Sequence, residues 1–144
     1  MQVLHDFILV IGSNLEQPVH KSKLGGFIID CKTGDLPRAA DFWSAALGMP
    51  VRELPGREGE LYRKLEDRHL GLSIEVQKVD HPSRVHLDIE TDDIEAEVRR
   101  LEGLGAKRVG QVQTWWVLEA PTGQRFCVVS ASSPRFEEHA SQWP

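Results

Sequence analysis

Gly34-Asp35-Leu36-Pro37-Arg38-Ala39-Ala40-Asp41-Phe42-Trp43, running on to Leu47-Gly48-Met49, is the stretch on which the fold turns. Leu36, Ala39, Ala40, Trp43 and Leu47 recur at helical spacing. Asp35 can cap the start, Pro37 is tolerated in the first turn, and Gly48 followed by Pro50 stops the helix. A second stretch is built the same way. Asp92-Asp93-Ile94 opens it, Ile94, Val98 and Leu101 form its apolar stripe, and Leu104-Gly105 closes it. Asp92 with Glu95 resembles a capping box, and Gly105 sits where a left-handed C-terminal residue is wanted. The two stretches are offset by 57 to 58 residues, which marks an internal repeat.

Working outward, Leu65-Glu66 matches Leu118-Glu119, and Ile74-Glu75-Val76 matches Phe126-Cys127-Val128, at an offset of 52 to 53 residues. Strand patterns precede each helix at about 26–32 and 85–90. Three more follow each: about 50–54, 60–66 and 71–78, then 107–112, 114–119 and 125–130. The expected unit is β-α-β-β-β, present twice. Residues 1–24 fall outside the repeat and can add a strand through Phe7–Ile11, while residues 131–144 read as a polar tail.

Composition narrows the function classes. The 144 residues carry 17 Lys+Arg against 22 Asp+Glu, a formal charge of −5, and no basic run that would neutralise a phosphate backbone. A nucleic-acid partner is not expected. The longest apolar run, Phe7 to Ile11, is too short to span a bilayer and is not preceded by basic residues, so neither a membrane partner nor a secretory signal is expected. The expectation is a cytoplasmic protein. The two cysteines, Cys31 and Cys127, form no CxxC pair and no disulfide framework.

Strand residues alternate faces. His86, Asp88 and Glu90 oppose Val85, Leu87 and Ile89. Ser73, Glu75 and Gln77 oppose Leu72, Ile74 and Val76. Asp30 shares the Ile28 face, and Cys127 opposes Phe126 and Val128. The apolar sets are expected to pack on the helices. The polar sets either meet water or curve around a common cavity.

The run Gly34 to Met49, together with Val85-His86-Leu87-Asp88-Ile89, Leu104-Gly105-Ala106 and Ala120-Pro121-Thr122-Gly123-Gln124-Arg125-Phe126-Cys127, resembles the vicinal oxygen chelate superfamily of glyoxalases, bleomycin-resistance proteins and extradiol dioxygenases, most closely its glyoxalase-like subgroup. The likeness spans a single unit at about 25–130, with modules at about 25–78 and 85–130. It implies an α+β fold in which the two modules form a U-shaped, barrel-like mixed sheet with helices outside, around a small-molecule or metal site, frequently in a homodimer.

Carried over residue by residue, the superfamily's metal positions fall at Ile28, Glu75, His86 and Cys127, and Ile28 cannot ligate. Glu75, His86 and Cys127 can offer zinc an O, N and S set with water in the fourth place. Alternatively they line a metal-free ligand pocket in which Glu75 and His86 supply charge or a proton. In a third reading His86 is a structural histidine bonded to Asp88 or Glu75, and Cys127 fills core. The pocket reading leads, with no cofactor required. Its lining is expected to include Asp30, Tyr62 and Trp116 beside Glu75, His86, Asp88 and Cys127. Cys31 should face the helices, and His5, His20, His69, His81 and His139 should lie at the surface. Two functions remain open. One is a lyase or isomerase using Glu75 and His86 as acid and base; the other is a ligand-sequestering protein of the bleomycin-resistance type without turnover. Glyoxalase I activity and extradiol dioxygenation are disfavoured, because the last-strand carboxylate position holds Cys127.

Overall fold

The computed structural model describes residues 19–67 and 69–144; the expected strand at Phe7–Ile11 lies outside them. The first module runs β1 (His20–Lys32), α1 (Leu36–Leu47), β2 (Val51–Glu53), α2 (Glu58–Leu61), β3 (Tyr62–Leu65) and β4 (Ser73–Val79). The second runs β5 (Arg84–Thr91), α3 (Ile94–Gly103), β6 (Lys107–Val112), β7 (Trp115–Glu119) and β8 (Arg125–Ser130). The chain then adds α4 (Phe136–His139) and β9 (Ser141–Trp143).

The strands form one curved, unclosed mixed sheet in the order β2-β3-β4-β1-β5-β8-β7-β6, with β9 added alongside β1. The order is its own mirror image about the β1/β5 pair. That pair is antiparallel, whereas β1/β4 and β5/β8 are parallel, so each module repeats the other's connectivity. The repeat offset in the sequence is thus a repeat of structure.

Both helices start and stop as their sequences dictate, with one shift. Asp35 accepts a hydrogen bond from the Arg38 N–H, and Gly48 ends α1 at φ 69°. Such a positive φ suits a residue without a Cβ. At α3 the cap is Asp93, which accepts from the Ala96 N–H, and not Asp92. Asp92 instead accepts from the Lys21 N–H and ties the helix entry to β1.

One face of the sheet carries the core. Leu36 and Ala40 of α1 pack on Leu65, Ile74 and Val76, while Val98 and Leu101 of α3 pack on Leu118 and Val128. Cys31 joins the first cluster, on the helix side as expected. Close approach fixes the strand crossing beneath: a Cβ on Gly26 would lie 1.7 Å from the Ser73 carbonyl oxygen, so only glycine allows β1 to run beside β4 at this point.

Two expectations fail through long-range pairing. β1 begins at His20 rather than near 26, because Ser141–Trp143 pairs with His20–Ser22. Residues 131–144 are therefore not a free polar tail. Phe136 is buried at 5% exposure, and the Trp143 indole N–H donates to Ser22 Oγ at 2.8 Å. His20, expected at the surface, is 7% exposed and lies 2.7 Å from Glu97 on α3. Its partner sits 77 residues away, beyond the reach of local pattern.

Candidate functional site

The opposite face of the sheet carries polar side chains, and strand register places them. Ile28 on β1 is the register partner of Glu75 on β4 and of His86 on β5. Residues paired across a sheet share a face, so Glu75 and His86 flank Ile28 on the concave side, one from each module. At the usual strand spacing their backbones stand roughly 10 Å apart. The row continues on the first-module side, where Lys64 pairs with Glu75 and Arg52 with Lys64.

His86 is held from below. Its Nδ1 donates to Asp30 Oδ2 at 2.8 Å, which turns Nε2 towards Asp88 Oδ1 at 3.6 Å. Asp30 is 2% exposed, and Arg84 Nε and His81 Nε2 approach the same oxygen at 3.6 and 3.9 Å. Among the described residues, one oxygen each of Asp30 and Asp88 is buried without a hydrogen-bond partner. Buried polar atoms normally find partners, and each of these oxygens can accept from a donor or ligate a cation.

Acidic groups crowd the surroundings. Burial pushes the Asp88 carboxyl up to about 6; the His86 charge opposes the rise, and those of Asp30 and Glu90 add to it. Burial, with the charges of Asp88 and Asp30, pushes the Cys127 thiol up to about 12. Burial likewise raises the Tyr62 phenol to about 12, helped by Glu75, Cys127, Asp88 and Asp30, and its oxygen accepts from the Gln77 amide at 2.8 Å. Glu75 is raised by burial and by the charges of Glu58 and Asp88, while Lys64 and Arg52 pull the other way. In each case burial is the main reason the charged form is disfavoured, and neighbouring acidic groups add to it.

Six of the seven residues expected to line a pocket thus share this face: Asp30, Tyr62, Glu75, His86, Asp88 and Cys127. Trp116 does not. Val117 is the register partner of Cys127, so the next residue points to the helix side. There Trp116 packs on the Val98 and Leu118 cluster, with the Arg108 guanidinium 4.8 Å from its ring centroid. Trp115 takes the concave side instead. Lys64 was missed, although it shares parity with Tyr62 on the same short strand. Ser132 and Ser133 were missed as well. Their N–H and hydroxyl groups bind Glu90, the next concave-face residue of β5 after Asp88, and close that end of the face.

A model of the glyoxalase-like domain matches residues 26–129. The chain belongs to the glyoxalase-like family. Solved structures agree on the vicinal oxygen chelate fold. This glyoxalase-like chain is similar to a hypothetical protein from Bacillus halodurans C-125 at TM-score 0.56 and 11% identity, over 78% of this chain and 96% of that one. It is also similar to a methylmalonyl-CoA epimerase in complex with methylmalonyl-CoA, at TM-score 0.53 and 16% identity, over 78% and 97%. Streptomyces coelicolor methylmalonyl-CoA epimerase with 2-nitronate-propionyl-CoA gives TM-score 0.52 and 16% identity, over 76% and 98%. No curated protein matches the chain in sequence. No helix among the described residues is long and apolar enough to cross a membrane.

The superfamily's habit of binding metal invites a test of the donors. In this glyoxalase-like chain one ligand atom each of His86, Asp88 and Cys127 lies within 4.8 Å of the others. Two of the expected trio, His86 and Cys127, belong to this group; its third member is Asp88, two residues along the His86 strand, while Glu75 stands across Ile28 on the other module. The set of imidazole, carboxylate and thiolate suits zinc, and the Asp30 carboxylate behind His86 is the kind of support that fixes a ligating imidazole. The orphaned Asp88 oxygen fits the same reading.

Proposed function

We propose that the chain is a glyoxalase-like enzyme of the lyase or isomerase type, acting on a small carbonyl compound held on the concave face. The observation that carries this reading is the row Glu75, Ile28, His86: two proton-handling groups, one from each module, on either side of an apolar shelf.

Glu75 acts as the base. Burial raises its affinity for a proton, which brings it nearer to the strength needed to take one from a carbon beside a carbonyl. His86 sits across the shelf with Nδ1 engaged by Asp30, so its Nε2 side is the one available to the substrate oxygen. Doubly protonated, with one N–H on Asp30, it donates from Nε2 where negative charge develops as the proton leaves. Ile28, 4% exposed, and Tyr62 supply the apolar body of the floor. A divalent cation held by His86, Asp88 and Cys127 would take the Nε2 lone pair and polarise that oxygen in place of the hydrogen bond.

The test is wash-in of solvent deuterium into a panel of 2-oxo and 3-oxo acids, followed by NMR. Exchange at the carbon beside the carbonyl is expected with the wild type. It should fall by about 10²- to 10⁴-fold in Glu75→Gln, the usual worth of a positioned proton-transfer group. Binding without exchange in the wild type would overturn the enzymatic reading in favour of sequestration.

A further inference from the structure

Beyond the proton-transfer row, the first-module end of the concave face contains a cavity of about 330 Å³. Arg52, Lys64, Glu66 and Ser73 line it from the sheet side, and Ser132, Ser133 and Pro134 from the returning C-terminal segment. Its charges are unevenly committed. Glu66 lies 3.6 Å from Arg52. Asp67 spends both carboxylate oxygens on the backbone N–H groups of His69, Leu70 and Leu72. Ser132 and Ser133 are turned to Glu90. Lys64 is left half-buried, with no carboxylate within ion-pair distance among the described residues.

We infer that this cavity is an oxyanion subsite in which Lys64, backed by Arg52, holds a carboxylate or phosphate group of the substrate. The inference rests on the function proposed above and names its substrate class: a small carbonyl compound bearing an acid group. Geometry makes the link. Lys64 is the register partner of Glu75, one strand spacing of about 4.8 Å away. An acid group on Lys64 therefore places the neighbouring carbons of a short chain over Glu75 and the Ile28 shelf. A half-buried ammonium with no carboxylate at ion-pair distance among the described residues gains more from an oxyanion than a solvated surface lysine does. The lysine and arginine charges also reach Glu75, where they oppose the upward push of burial. Neutralising them with a bound anion strengthens Glu75 as a base at the moment substrate arrives.

Calorimetric titration tests this with glutarate, inorganic phosphate and the uncharged dimethyl glutarate, against wild type, Lys64→Met and Glu75→Gln. Saturable binding of glutarate or phosphate to the wild type is expected. The better of the two identifies the acid group. Lys64→Met, which keeps the aliphatic stem, should weaken it roughly tenfold to a hundredfold, the loss of one hydrogen bond to a charged group. Glu75→Gln should bind at least as tightly as the wild type, since it removes a like charge. Equal binding by wild type and Lys64→Met, equal binding of dimethyl glutarate, or no binding of either anion overturns the subsite. The two proposals fail separately. Glu75-dependent exchange with Lys64-independent binding removes only the subsite, and Lys64-dependent binding without exchange removes only the proton transfer.

Discussion

Glu97 on α3 has no exposed side-chain surface, and its removal is the sharpest test of how the C-terminal segment is held. Its carboxylate lies 2.7 Å from His20 Nε2 and accepts from Arg100 Nε at 3.1 and 3.2 Å. The Arg100 guanidinium in turn sits 3.9 Å from the Trp143 ring centroid, so one buried carboxylate joins α3, β1 and β9. Glu97→Ala strands a buried imidazole and half of an arginine fork, a loss of about 3–5 kcal/mol. At roughly 2–4 °C per kcal/mol for a chain of this size, the midpoint should fall by about 6–20 °C. Thermal and urea melts of Glu97→Ala, His20→Ala and the double variant measure it. The double variant should cost less than the sum, by about 0.5–3 kcal/mol. pH gives a second reading. Burial pushes the Glu97 carboxyl up, but the hydrogen bonds from Arg100 and His20 outweigh it and hold the group below the ordinary range. A carboxyl depressed in the folded state stabilises above its unfolded pKa, and that stabilisation is lost as pH falls through the folded value. Glu97→Gln should therefore flatten the acid side of the stability curve. A loss under about 1 kcal/mol for Glu97→Ala, or strict additivity in the cycle, would refute the clasp.

Three further outcomes follow from the site. Glu75 has the opposite sign to Glu97. Its folded pKa is raised, so the folded state binds the extra proton and stability falls as pH rises between the unfolded and folded values. Glu75→Gln should accordingly raise the urea midpoint at pH 7 while lowering exchange, and an unchanged or lower midpoint would contradict the burial argument. Zinc added to the chain must displace the Cys127 proton, held to about 12 without a cation. Its affinity in a chelator competition should therefore climb with pH, and Asp30→Ala should weaken it roughly 10- to 100-fold by freeing the His86 ring. pH-independent binding would place the ion elsewhere. Gly26→Ala drives a Cβ against the Ser73 carbonyl and should cost at least about 1–3 kcal/mol in a denaturant melt; a neutral effect would mean that β1 and β4 are not packed in this register.

The repeat was legible because each half must bury its helix by the same local pattern. Leu36 and Ala40 in α1, and Val98 and Leu101 in α3, announce the core stripe without reference to anything distant. The face assignment of Asp30, Glu75, His86, Asp88 and Cys127 followed from parity alone, since side chains alternate along each strand. Parity could not choose between Trp115 and Trp116, because the answer depends on which of the two registers with β8. Nor could it reveal His20 with Glu97, Glu90 with Ser132 and Ser133, or Trp143 with Ser22. These are pairings over 42 to 121 residues, and those of Ser132, Ser133 and Trp143 are made by a C-terminal segment whose composition reads as solvent-exposed. The grouping of Asp88 with His86 and Cys127 has a similar origin. Family position pointed to one residue on the first and one on the last strand of each module, whereas the sheet brings together two residues of β5 and one of the neighbouring β8.

The most direct measurement is a crystal structure of the chain soaked with 2-oxoglutarate. The ligand is expected over Ile28, with its carbonyl on the His86 side, the adjoining carbon within reach of Glu75, and its far carboxylate on Lys64. A ligand lodged instead in the separate cavity bounded by Leu47, Pro50 and His69, or on the helix side of the sheet, would contradict the account.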